Sequence, residues 1–93
     1  MFDRILKRMR GLVRAREYVM TIHAEDEMDS DGLTIYDVES IVLTGRIVER
    51  QRDHVPAGWK YLISGQSLAG DPATVVAKIG PTGKLVFITV FKE

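Results

Sequence analysis

The sequence predicts an α+β fold: an N-terminal helix, a short strand, a helix pair and then a four-stranded antiparallel sheet. Three observations lead there. The apolar residues recur at helical spacing up to Gly45 and alternate with period two after it. Helix-start signals fall before Gly45, at Thr21 and Thr34. Turn signals separate short runs after it, as in a meander of strands joined by short loops. With 93 residues there is room for a single domain, 1–93, whose helices cover one face of the sheet.

Residues 2–14 place Phe2, Ile5, Leu6, Met9, Leu12 and Val13 on one helical stripe flanked by Arg4, Lys7, Arg8, Arg10 and Arg14. Residues 1–16 are thus a basic amphipathic helix, with its apolar side for a core and its charges for solvent or a partner. A β-prone run, Glu17–Thr21, precedes a helix over Ile22–Asp29 with Thr21 as its N-cap. Ser30-Asp31-Gly32 breaks the chain. Thr34 and Asp37 form a capping box before Ile35, Val38, Ile41 and Val42, and Gly45 supplies the residue that ends this helix. Strands are expected at 47–52, 59–68, 73–79 and 85–91, with a turn at 54–58. Gly80-Pro81-Thr82-Gly83 suits a type I turn. Leu85–Phe91 is apolar on both faces, which suggests a central strand.

Composition excludes several classes. There is no cysteine, so no disulfide, thiolate metal site or cysteine nucleophile. Two histidines make a structural zinc site unexpected, and His23 with Asp26 and Glu27 is too small a set to argue one. No cofactor motif occurs: neither a phosphate-binding glycine loop nor a dinucleotide fingerprint. Nothing reads as a membrane span or a secretory leader, so a cytoplasmic protein with no membrane partner is expected. Thirteen cations balance thirteen anions, but they are sorted along the chain. Residues 1–16 hold six cations and one anion, whereas 17–39 hold eight anions and no cation. Such sorting is consistent with internal packing of the two segments or with an interaction surface.

Two groups of residues are candidates for chemistry. His23 opens the acidic helix with Glu27 one turn on, where a carboxylate can orient an imidazole for proton transfer. His54 falls in the expected Pro/Gly loop and reads as solvated. Strict alternation puts Arg46, Arg50 and Arg52 on one strand face, beside Lys60 and Tyr61 of the next strand. Guanidinium groups bind phosphate bidentately, and Trp59 and Tyr61 offer rings on which bases can stack. The same row also serves as a solvated face that discourages edge aggregation.

An ordered set of residues resembles the bacterial domain-of-unknown-function 4258 family. It runs from Tyr18-Val19-Met20-Thr21-Ile22-His23-Ala24 through Met28, Gly32-Leu33-Thr34, Asp37-Val38-Glu39 and Gly45-Arg46-Ile47-Val48-Glu49. It continues with Lys60-Tyr61, Gly65 and Ile88-Thr89-Val90-Phe91, leaving out only the N-terminal helix. That family is similar to the RelE/ParE toxins of type II toxin–antitoxin pairs. The resemblance implies a toxin-like, microbial RNase-like α+β core over 17–93 and a metal-independent endoribonuclease that cuts mRNA. It implies a zinc-finger antitoxin as partner. His23 would then carry proton transfer, with Arg50 and Lys60 stabilising charge at the phosphorus. Arg46, Arg52, Lys78, Trp59 and Tyr61 would hold the RNA. The family commonly has arginines at the positions of Glu27 and Asp31, and a tyrosine where Phe91 stands. The rival reading is a binding module without catalysis, pairing with an antitoxin or regulator. Its acidic helix would take a basic partner, or the basic helix of a second copy in a homodimer.

Overall fold

A computed structural model describes residues 1–54 and 57–93, with the side chains of His54 and Ala57 left aside. In order, the elements are α1 (Asp3–Arg14), β1 (Tyr18–Met20), α2 (Ile22–Asp31), α3 (Ile35–Thr44), β2 (Arg46–His54), β3 (Ala57–Gln66), β4 (Pro72–Ile79) and β5 (Leu85–Lys92). The class is α+β, as the change of period requires. The turn expected at 54–58 is shorter, since β2 reaches His54 and β3 begins at Ala57; Val55 and Pro56 lie outside the described residues.

The sheet has five strands in the order β1-β5-β4-β3-β2. The short strand at 18–20 joins it parallel to β5, while the other pairs are antiparallel. The sheet is therefore mixed, and β4 is its central strand, with β5 one place from the edge. Met9 and Val13 of α1, Ala24 and Met28 of α2, and Val38, Ile41 and Val42 of α3 bury against Ile63, Val75, Phe87 and Val90. All three helices use one sheet face.

Local signals account for the ends of the helices. Thr21 accepts from the Ala24 N–H at 3.1 Å, and Gly32 leaves α2 in the left-handed region at φ 68°. Asp37 accepts from the Thr34 N–H at 2.7 Å and, through its other oxygen, from the Leu68 N–H at 2.9 Å. These backbone donors hold its carboxyl below the ordinary value of 3.8. Arg16 adopts φ 56° where α1 ends, and the Glu17 and Arg16 N–H groups return to the Leu12 and Val13 carbonyls in a Schellman closure. The Tyr18 hydroxyl donates to Glu39 at 2.5 Å, tying β1 to α3. Burial, and then this carboxylate, push the Tyr18 hydroxyl up to about 12.

Gly45 ends α3 for a different reason from the one expected. Its backbone is extended, with φ −92° and ψ −167°, so no left-handed conformation is involved. Gly45 instead faces Gly65 of β3 with no room for a side chain on either. A Cβ on Gly65 would lie 2.5 Å from the Ile41 carbonyl oxygen and 3.0 Å from the Gly45 Cα. The two glycines let the end of α3 rest directly on the sheet. Arg10 closes the same corner, donating from Nε to the Val42 carbonyl at 3.1 Å and from Nη2 to that of Gly45 at 2.7 Å. A cation here satisfies carbonyls that have no partner within the helix and matches the negative end of its dipole.

Two outcomes are expected. Gly65→Ala lowers stability by about 1–3 kcal/mol, because backbone atoms rather than flexible side-chain ends oppose the new methyl. The urea midpoint falls and the slope of the transition stays the same. Asp37→Ala lowers stability at neutral pH by about 0.5–2 kcal/mol. The Asp37 contribution is present above 3.8 and is lost as the pH falls through its depressed folded value, so parallel acid titrations of the two proteins should converge at the low end.

Candidate nucleic-acid interface

The row of arginines on β2 is divided by the backbone. Pairing with β3 shifts register between Ile47 and Glu49, so that Ile47 faces Ile63 and Arg50 faces Tyr61. The extra residue is Val48. A bulge of this kind moves every later side chain to the other face. Arg50 and Arg52 consequently lie on the helix-covered face, and Arg46 on the open one. This overturns the single row that strict alternation predicts. Ile47, just before the bulge, is 8% exposed and keeps its side chain in the core.

Past the end of the core, Arg50 and Arg52 meet Trp59 and Tyr61 from the neighbouring strand. The Arg50 guanidinium carbon sits 4.1 Å from the centre of the Trp59 ring and that of Arg52 at 4.6 Å. These are cation–π distances. Trp59 thus serves as a platform that orients two cations. The first turns of α1 lie over the same strands. Phe2 packs against Tyr61 edge to face, with centroids 6.1 Å apart and the planes at 78°. Between them is a recess of about 330 Å³ lined by Phe2, Arg4, Ile5, Arg8, Arg50 and Tyr61, with Met1 at its rim. The start of α1 and the paired strands β2 and β3, distant in sequence, thereby bring four guanidiniums, a tryptophan, a tyrosine and a phenylalanine together.

The other expected RNA-facing residues are elsewhere. Lys60 pairs with Gln51, and Lys78 with Val86, on the open face of the sheet. Lys60 is therefore separated from Arg50 by the thickness of the sheet. Lys78 is largely buried in an ion pair with Asp53, Nζ to Oδ2 at 2.6 Å. Neither joins Arg50, and Arg46 is on their side.

His23 is at the far end of the sheet. Its Nε2 lies 3.2 Å from Glu27 Oε1, as the spacing of four predicts, and the imidazole is 68% exposed. The same Glu27 oxygen accepts from the Val90 N–H at 3.0 Å, and Asp31 accepts from the Lys92 N–H at 3.0 Å. Thr21 donates its hydroxyl to the Ile88 carbonyl. Beyond Phe87, where β1 stops, α2 thus supplies the partners that a further strand would give. The spacings agree: four helical residues rise about 6 Å and two strand residues about 6.7 Å. β5 and β2 are three places apart, about 14 Å at the usual strand spacing. α2 lies beyond β5, so His23 and Arg50 share no cleft. Among the described residues, no three His, Cys, Asp or Glu side chains are grouped to hold a metal ion. No described helix is long and apolar enough to cross a membrane.

The family model for a domain of unknown function, DUF4258, matches residues 20–92. The chain belongs to the DUF4258 family. No curated protein and no solved structure matches it. The matched segment of this DUF4258 protein covers the whole sheet from Met20 on, and both α2 and α3. It does not include α1, so Phe2, Arg4, Ile5 and Arg8 reach the recess from outside the matched region. Sequence reading missed this meeting of α1 with β2, and it missed Arg10. The signal that α2 closes the edge of β5 was present. Glu27 and Asp31 share the stripe of Ala24 and Met28, at spacings of three and four, on the face that packs against the sheet.

Glu27→Ala should therefore lower stability by about 1–3 kcal/mol by stranding the Val90 N–H, whereas Glu27→Gln, which keeps an acceptor, should lose less. His23→Ala, at an exposed position, should change the thermal midpoint little.

Proposed function

We propose that this DUF4258 domain binds RNA along the surface formed by Arg4, Arg8, Arg50 and Arg52 with Trp59 and Tyr61, and that this surface binds without cutting. The observation that carries the reading is the convergence of α1 and β2 arginines around an aromatic recess at one edge of the sheet. Four permanently charged groups in a small area form a site for successive phosphates, and those of β2 are positioned by packing on a ring rather than by ion pairs to carboxylates. The resemblance to RelE/ParE toxins selects RNA among polyanions. Transesterification would need both a base and an acid beside the phosphate; guanidinium does not release its proton, and among the described side chains lining the recess only the Tyr61 phenol could. Among the described side chains, the imidazole of His23 is about three strand spacings away.

Fluorescence anisotropy with a labelled single-stranded RNA tests this. Arg8→Ala and Arg50→Ala should each weaken binding by about tenfold at moderate salt. Each should flatten the dependence of log affinity on log salt by about 0.7 for every phosphate no longer neutralised. Lys60→Ala, on the other face, should bind as the wild type does. Loss of affinity in Lys60→Ala equal to that in Arg50→Ala would overturn the assignment. RNA cut by the wild type and spared by His23→Ala would restore the endoribonuclease reading in its place.

A further inference from the structure

We infer that the recess between α1 and the β2–β3 hairpin receives one unpaired base, with the flanking phosphates on Arg4, Arg8 and Arg50, so that this surface prefers single strands to duplex. The inference rests on the RNA-binding reading and specifies which form of RNA is bound. Cations alone would grip any phosphate chain. This recess differs from a plain basic patch in its lining. Phe2, Ile5 and Tyr61 are partly buried apolar surfaces, and the guanidiniums surround them. A nucleotide has the same division, with a flat apolar-faced ring next to an anionic linkage.

Geometry and size favour one base. In an edge-to-face pair only one face of one ring is covered by its neighbour, so Phe2 and Tyr61 retain aromatic surface for a third ring. Trp59, the other candidate, already carries two guanidiniums. The volume of about 330 Å³ is at the small end of ligand pockets, which run from about 300 to 1,000 Å³. It suits one base and its sugar. A paired base keeps its faces in the stack and cannot enter beneath a helix. The wall that makes the recess is α1, the element outside the family match, so this preference belongs to the chain with its N-terminal helix.

The test compares three labelled probes with the intact protein: a single-stranded RNA, a strand of the same length and charge with abasic sites, and a duplex. The single strand should bind about tenfold more tightly than either of the others. Phe2→Ala should bring single and abasic strands together, whereas Arg8→Ala should weaken both by the same factor. If Phe2→Ala does not fold, competition on the wild type decides: AMP should displace the single strand at concentrations where ribose 5-phosphate does not. Equal affinity for single and abasic strands, or equal competition by the two small molecules, would overturn the base pocket and leave RNA binding intact. Failure of all three probes to bind would remove both.

Discussion

The C-terminal carbonyls of α3 are where three elements meet. Gly45 and Gly65 allow the helix to touch β3 through backbone atoms, and Arg10 then donates to the Val42 and Gly45 carbonyls. Neither contact suffices alone. The glycine contact sets how low α3 sits but leaves its last carbonyls to be satisfied. Arg10 satisfies two of them and, because it belongs to α1, fixes that helix along the sheet. Arg10 lies less than one turn beyond Arg8 and under two turns beyond Arg4, so holding Arg10 at the α3 corner determines where the first turns of α1 point. They point over β2 and β3, where the recess forms. A contact made for packing therefore places the groups that carry the proposed function.

The two sides of the sheet meet the problem of unpaired strand edges differently. β5 is joined by β1 only as far as Phe87, and from there the helix that follows β1 provides the missing partners through Thr21, Glu27 and Asp31. That explains why the acidic residues Glu27 and Asp31 stand on this face of α2: they serve backbone N–H groups of the sheet. Their charge is directed at β5. At the opposite edge, the bulge and the charged side chains of β2 discourage addition of another strand. The same bulge follows Ile47, whose side chain is in the core, and turns Arg50 and Arg52 toward the rings of β3. A device suited to protecting an edge thus also concentrates cations on one face.

What could be read from the sequence was local. The caps at Thr21 and Thr34 and the Gly80–Gly83 turn each depend on a few neighbouring residues, and each occurs as expected: the Gly83 N–H returns to the Gly80 carbonyl at 3.0 Å, whereas the break expected over Ser30-Asp31-Gly32 comes only at Gly32, because α2 runs on to Asp31. The strand alternation failed at one residue, Val48, because a bulge leaves no mark in composition. That single shift separated Arg46 from Arg50 and set Lys60 on the other face. The pairing of β1 with β5 and the partners of Arg10 are contacts between distant parts of the chain, and no periodicity encodes them. Gly45 shows a subtler miss. It was legible as a helix end, but the reason for glycine was a close approach rather than a left-handed turn.

The sorting of charge along the chain now has a spatial form. α1 packs on α3 and β5, and no ion pair joins it to α2 among the described residues. The acidic segment lies beyond β5, and the guanidinium cluster lies at β2, about 14 Å or more away across the strands. At physiological ionic strength, interactions between exposed charges fade over about 8 Å. The carboxylates of α2 therefore do little to cancel the attraction of the arginines for a phosphate chain, even though the whole protein is neutral. At low salt their field extends further and repels a polyanion approaching from the α2 side, leaving the β2 edge as the favoured route. Neutrality is in this sense no argument against RNA binding: the relevant quantity is the charge within a screening length of the recess, and there four arginines outnumber the carboxylates of Asp3 and Glu49 beside them in the chain.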